Sequence, residues 1–221
     1  MLRGLFVTGT DTGIGKTVTC AALLHRYRSA ACLRYWKPIQ TGIEQDDDTA
    51  EVRRLAACRD DEILAEGIRL RCPVSPHLAA QWSGMTIRLA EVTAPIEAQP
   101  RDNRWIVEGA GGVLVPINDK QFMTDLMRAL GLPVVVVARS ALGTINHTLL
   151  TVEALRARSL QIAGVVMVGE PNRDNRAAIE RYGAVAVLGE MPFCQPLDAG
   201  VLAAWARTGL DPEDRLLEYL Q

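Results

Sequence analysis

No apolar stretch in this sequence approaches the ~20 residues a membrane-spanning helix needs; the longest near the middle runs only from Leu132 to Ala138. Charge of one sign is equally scarce. Lys and Arg number 24 against 26 Asp and Glu, a formal charge of -2 with no long block of either sign. That balance argues against a nucleic-acid groove and against a basic membrane face. The five cysteines, Cys20, Cys32, Cys58, Cys72 and Cys194, are odd in number and never form a CxxC pair. A disulfide framework and a zinc site are therefore not expected, and the thiols read as reduced packing residues of a cytoplasmic protein. The N-terminus carries no signal-peptide pattern, and no internal repeat or low-complexity linker is present. The expectation is a protein that acts on a small molecule, with neither nucleic acid nor membrane as partner.

What is present is an ordinary core. With 48% hydrophobic and 23% charged residues over 221 positions, the chain can bury roughly 70% of the surface its unfolded form exposes without disulfides or a structural metal. One domain over residues 1–221 is expected. Short branched runs at 5–8, 105–107, 134–138, 162–168 and 184–188 suit strands buried on both faces. Between them, residues 17–28, 49–57, 87–98, 144–158 and 173–182 repeat apolar residues at helical spacing. This alternation predicts an α/β fold, a doubly wound and mainly parallel sheet with helices on both faces. Ligands of such sheets bind at the carboxyl ends of the strands, which directs attention to the loops after Val7, Val107 and Ala138.

The first of those loops reads Gly9-Thr10-Asp11-Thr12-Gly13-Ile14-Gly15-Lys16-Thr17 between the first strand and the first helix. Glycines let backbone N–H groups turn inward around an anion, the helix start adds its positive end, Lys16 reaches the outer phosphates, and Thr17 can meet Mg²⁺. The usual spacing places four residues between the two glycines, whereas Gly9 and Gly15 enclose five. The bland alternative is a glycine turn feeding a helix, but position, context and Gly-Lys-Thr together favour a phosphate loop.

A second lysine, Lys37, ends the second strand in Tyr35-Trp36-Lys37-Pro38-Ile39-Gln40-Thr41-Gly42. It is either a second cation for the same polyphosphate or a surface lysine before a proline turn. Val107-Glu108-Gly109-Ala110-Gly111-Gly112 ends another strand with an acid followed by glycines. A buried acid needs a cation, and a metal fits that need. Among Asp46, Asp47 and Asp48, all three could be solvated, or one could cap the following helix.

Taken together, the chain resembles dethiobiotin synthetases, a family of P-loop enzymes, from residue 3 to about residue 193. The resemblance rests on the phosphate loop with its enlarged spacing, Lys37-Pro38 with Thr41-Gly42, Ser75-Pro76-His77, the Val107 to Gly112 segment, Gly143-Thr144-Ile145-Asn146-His147 and Gly189-Glu190-Met191-Pro192. It implies ATP-dependent carboxylation of 7,8-diaminopelargonate by CO₂ and closure of the ureido ring, by way of a carbamate and its phosphorylated form. By resemblance, Lys16 and Lys37 serve the transferring phosphoryl group and the carbamate, while Thr17, Asp48 and Glu108 hold Mg²⁺. Gly13, Ile14, Gly15, Val18, Gly109, Ala110, Gly111, Gly169, Pro192 and Phe193 would contact nucleotide. Thr12, Thr41 and Ser75 would meet the diamine and its carbamate. The helix start at Thr144, Ile145 and Asn146 would take the substrate's tail carboxylate in the other subunit of a homodimer, an anion role that suits free N–H groups there. The same Asn146 could instead cap that turn, Ser75 could cap the helix that Pro76 begins, and His77 reads as packing or capping.

Two departures from the family are visible. Many members carry an Asn that reads adenine at the end of the fifth strand, where this chain has Val166-Met167-Val168-Gly169-Glu170. Relaxed base selectivity, admitting other nucleoside triphosphates, is therefore expected. Some members also carry an acid where Gly13 stands. The rival classes are ATP-switch proteins, which usually carry an extra lysine early in the loop where this chain has Thr10, Asp11 and Thr12, and amidating ligases, which need a glutaminase domain for which 221 residues leave no room. Beyond Phe193, residues 198–207 and 212–220 look like short helices.

Overall fold

The computed structural model describes residues 2–221. In chain order the strands are β1 (Arg3–Gly9), β2 (Leu33–Trp36), β3 (Ile39–Thr41), β4 (Ile63–Leu64), β5 (Ile68–Leu70), β6 (Arg104–Gly112), β7 (Val134–Arg139), β8 (Ile162–Val168) and β9 (Val187–Met191). The helices are α1 (Lys16–Tyr27), α2 (Asp48–Leu55), α3 (Pro76–Trp82), α4 (Leu89–Glu97), α5 (Met123–Leu130), α6 (Thr144–Arg156), α7 (Arg173–Gly183) and α8 (Ala199–Gly209). Seven strands form one parallel sheet in the order β4-β2-β6-β1-β7-β8-β9, and β3 pairs with β5 in a separate parallel ribbon.

Strand parity separates two cores. Leu5, Val7, Tyr35, Ile106, Val135 and Val137 point towards α1, α2 and α8, whereas Phe6, Trp36, Trp105, Val107, Val134 and Val136 point towards α4 to α7. Both faces are covered, so the central strands are apolar on both sides and read as unbroken Val and Ile runs. The chain works outward from β1 in both directions. The switch point therefore lies at the carboxyl end of β1, where the phosphate loop sits.

Several boundaries depart from the sequence expectation. Glu108 does not end its strand, because β6 continues through the glycines to Gly112. The last strand begins at Val187, since Ala184 is the left-handed residue that closes α7 (φ 42°). Lys37 does not reach the phosphate loop from a strand adjacent to β1, because β6 stands between β1 and β2 and pairs with both. Residues 212–220 hold only a 3-10 turn, Arg215–Tyr219. The short strands β3, β4 and β5 had no counterpart in the periodicity, being too short to develop one, and helix α5 was not anticipated although it is as long as α2.

The tail after α8 is fastened by one buried carboxylate. Asp211, 1% exposed, accepts the Tyr27 hydroxyl and the N–H groups of Leu216 and Arg215, at 2.7 and 3.1 Å respectively. A charged acceptor satisfied by donors from two elements clamps the C-terminal segment onto the last turn of α1. Tyr27→Phe should lower stability by about 1.5–3 kcal/mol, the usual worth of a hydrogen bond to a charged group. Thermal unfolding should show a drop of several degrees in Tm with kcat unchanged, because Tyr27 lies at the far end of α1 from the phosphate loop.

Candidate active site

Three neighbouring strands deliver the site. β1 leads into the phosphate loop, β6 carries Glu108, and β2 ends one residue before Lys37. The loop takes its shape from Gly13 (φ 68°) and Gly15 (φ 96°), both in the left-handed region that side chains disfavour. Gly9 is packed tightly as well, since a Cβ there would meet Ile14 Cδ1 at 2.7 Å. Gly15 occupies the N-cap of α1 and offers no side-chain acceptor, leaving the first N–H groups of that helix open for an anion. Lys16 curls back over the loop, and its ammonium donates to Asp11 O at 3.0 Å.

Lys37 is buried at 2% exposure and is held by two acids. Its ammonium lies 2.6 Å from Asp48 Oδ2 and 2.8 Å from Glu108 Oε1, and donates to Gly109 O at 3.1 Å. Thr17 Oγ1 lies 2.8 Å from Asp48 Oδ1 and 3.1 Å from Glu108 Oε1. Of the three adjacent aspartates, Asp47 is the helix cap, accepting the N–H groups of Thr49 and Ala50, and Asp48 begins α2 turned to Lys37. Lys37 is thus buried among acids, which decides against the surface reading.

The electrostatics follow from this crowding. Burial, reinforced by the charge of Lys37, holds the Lys16 ammonium below its ordinary range. Burial also acts against charge on Lys37, but Glu108 and Asp48 outweigh it and hold that ammonium above the ordinary value. Burial opposes charge on Asp48, yet Lys37 and Thr17 keep its carboxyl below the usual range. Two lysines that repel one another across a cleft gain on receiving an anion.

The cleft in front of these groups has a volume of about 480 Å³. Thr12, Gly13, Gly15, Lys16, Thr17, Lys37, Thr41, Asp48, Ser75, Glu108, Ala110 and Gly111 all border it, so most of the residues singled out in the sequence converge. Gly109 is drawn in through its carbonyl. Ile14 is buried under the loop and Val18 sits on the first turn of α1; neither borders the cleft. Ser75 occupies the N-cap of α3 without capping it; its hydroxyl pairs with His77 Nδ1 at 3.0 Å.

The remaining residues stand elsewhere. Gly169, Pro192 and Phe193 lie beyond the phosphate loop at the ends of β8 and β9, with Phe193 72% exposed. Val168 turns its methyl groups towards Gly15, where a Cβ would meet them at 3.2 Å. Thr144, Ile145 and Asn146 open α6 behind a left-handed Gly143, so Asn146 is not the cap. The Thr144 N–H is already used by Ala141 O and its side chain is buried, leaving the next N–H groups of the turn as the open donors. A second cavity of about 430 Å³ joins Thr12 to His147 and Leu150 of α6, beside the exposed Leu114.

Sequence reasoning missed Gln40 and Asp46, which line the cleft, and Arg139, whose guanidinium pairs with Asp11 at 2.7 Å. It also missed Tyr35, which donates to Glu108 Oε2 at 2.9 Å. Strand parity would have found Tyr35 once the register of β2 on β6 was known.

Known proteins match this architecture. A family model described as an AAA domain matches residues 3–200. The ParA family ATPase from Chlorobium tepidum superposes with a TM-score of 0.58 at 9% identity, covering 93% of this chain and 98% of that one. The Aquifex aeolicus MinC:MinD cell division complex gives 0.52 at 10% identity, with coverage of 99% and 94%. These likenesses concern the fold alone. By sequence, the chain is 47% identical to the ATP-dependent dethiobiotin synthetase BioD of Brucella ovis over 193 residues, 87% of each protein. It is 44% identical to that of Rhizorhabdus wittichii over 214 residues, 97% of this chain and 99% of that one. It also matches the biotin biosynthesis bifunctional protein BioCD of Bordetella avium at 45% over 206 residues, spanning only 43% of that longer protein. At such identity across nearly whole relatives, on a phosphate loop faced by a second buried lysine and two acids, the chain belongs to the ATP-dependent dethiobiotin synthetase family.

Proposed function

We propose that this chain, as a single domain, closes the ureido ring of dethiobiotin from 7,8-diaminopelargonate, CO₂ and ATP. The observation that carries the reading is the convergence of Lys16, Lys37, Asp48, Glu108 and Thr17 on one cleft. In the reaction one amine adds to CO₂ and loses a proton, giving a carbamate. The carbamate oxygen then takes the γ-phosphoryl group from ATP, leaving ADP, and the second amine attacks the activated carbon, loses a proton and expels phosphate. Two protein ammonium groups suit this sequence, since every species between diamine and product carries oxyanions. Fixed cations stabilise the charge that builds on the transferring group without reorganising. Lys37 would exchange its carboxylate partners for the carbamate and phosphoryl oxygens, while Lys16 would uncurl from Asp11 onto the nucleotide.

The donor set fits Mg²⁺. Asp48, Glu108 and Thr17 offer hard oxygen ligands within hydrogen-bond distance of a common hydroxyl. No three His, Cys, Asp or Glu side chains cluster as a self-sufficient ion site among the described residues. This matches Mg²⁺, which usually binds one or two carboxylates and completes its shell with water and substrate phosphates. When bound, it would neutralise phosphate charge.

Thr12, Thr41 and Ser75 would hold the diamine and carbamate. In a homodimer the open N–H groups at Ile145 and Asn146 would take the tail carboxylate of the partner's substrate; the almost fully exposed Leu142 and the apolar second cavity support such an interface. Glycine-loop groups from Gly13 to Val18 and Gly109 to Gly111 would hold phosphates, with Gly169, Pro192 and Phe193 about the base. No helix among the described residues is long and apolar enough to cross a membrane, and a cytoplasmic location is proposed with the free thiols in mind.

Incubation with diaminopelargonate, labelled bicarbonate, Mg²⁺ and ATP should place acid-stable label in a cyclic urea; ATP hydrolysis indifferent to the diamine would defeat the reading. Lys37→Ala should cut kcat by about 10²-fold or more while nucleotide affinity, measured by calorimetry, stays close to that of the parent. With Val168 where a base-reading amide would stand, ATP, CTP and GTP should support comparable rates and KM values. A preference for ATP of about 10³-fold, worth roughly 4 kcal/mol, would contradict that expectation.

A further inference from the structure

Tyr35 is a fully buried polar residue that takes no part in the reaction described above. It lies on β2 opposite Ile106 of β6 and on the same face. Glu108 is two residues further along β6, the diagonal position, which a tyrosine is long enough to reach across a sheet. Its hydroxyl donates to Glu108 Oε2 at 2.9 Å, and both residues are wholly buried. Burial and the adjoining carboxylate push the phenol well above its ordinary range, so it remains a neutral donor.

The partners of Glu108 divide into two kinds. Oε1 faces Lys37 at 2.8 Å and Thr17 at 3.1 Å, and both of those line the cleft. In the proposed reaction they are the groups that would change partners when nucleotide and cation arrive. Tyr35 does not border the cleft and has nothing to exchange. The terminal torsion of a glutamate is broad, so the side chain's own rotamer does not fix the plane in which its carboxylate oxygens point. We infer that Tyr35 is a positioning residue whose hydroxyl anchors Oε2 and keeps Oε1 of Glu108 presented to the cleft after Lys37 and Thr17 have turned to the substrates. The inference deepens the proposed reading, since it rests on Glu108 meeting the cation.

The test uses Mn²⁺ as the probe, its binding to the full-length protein followed by electron paramagnetic resonance with a nonhydrolysable ATP analogue present. Loss of an outer partner of a metal-binding carboxylate typically costs about 10–100-fold in metal affinity. Tyr35→Phe should therefore weaken Mn²⁺ by about tenfold or more and lower kcat, with KM for the diamine unchanged. Mn²⁺ affinity equal to that of the parent protein would overturn the inference. A second comparison sets Glu108→Gln against the double variant Tyr35→Phe with Glu108→Gln. The double variant leaves no buried carboxylate short of its donor, so it covers the case in which Tyr35→Phe alone fails to fold. If Tyr35 acts through Glu108, the two proteins bind Mn²⁺ equally; a further tenfold loss in the double variant, about 1.4 kcal/mol, would overturn the inference by showing an independent effect. Should the parent protein form no cyclic urea while Tyr35→Phe still loosens Mn²⁺, the proposed reaction fails and the role of Tyr35 stands. Ring closure intact with Mn²⁺ indifferent to residue 35 is the reverse result.

Discussion

A buried ammonium held between two carboxylates organises this protein. Lys37 sits almost out of solvent between Asp48 and Glu108, and Glu108 has no exposure at all. Removing one member of such a cluster leaves an uncompensated charge in a low-dielectric interior, which costs about 3–5 kcal/mol. The three residues come from separate segments, the end of β2, the start of α2 and the middle of β6. The charge cluster therefore fastens those elements together. The proposed reaction would draw on the same cluster, since its carboxylates have the chemistry of hard-cation ligands and its ammonium that of a phosphate ligand.

The sheet order explains why this works with so few residues. β6 lies between β1 and β2, so the acid stands on the strand flanked by those that lead to the two lysines. Strands lie about 4.8 Å apart, which puts the carboxyl ends of β1 and β2 roughly 10 Å from each other with the acid's strand midway. That spacing comes from backbone hydrogen bonds, not from loop conformation. Glu108 therefore stands on a strand paired on both sides, and Tyr35 reaches it diagonally across one of those pairs.

Much of this was legible in the sequence because it depends on local rules. The branched runs 134–138 and 162–168 can be little else than interior strands, and they are β7 and β8. Gly13, Gly15, Lys16 and Thr17 announce an anion loop through backbone freedom and charge at a helix start. What escaped depends on register and on distant partners. The continuation of β6 through Gly109 to Gly112 is invisible to strand propensity, because glycine is disfavoured in strands, and only close packing of Gly109 on Phe6 makes it useful there. Residue preferences alone left open which of three adjacent aspartates faced inward; the family resemblance pointed to Asp48, and α2, with Asp47 as its cap, turns Asp48 to Lys37. Ser75 looked like a cap by position, yet its hydroxyl turned to His77, a choice no single-residue preference records. Ala184 was drawn into a strand by its apolar neighbours, whereas the chain needed it to reverse direction after α7.

The ribbon of β3 and β5, with α3 behind it, is attached at the rim of the main sheet and supplies Thr41 and the approach to Ser75. It shares no strand with the sheet that carries the lysines and the acid. Thr41 and Ser75, proposed to meet the diamine, can therefore be exchanged without disturbing the strands that hold Lys37 and Glu108 in place.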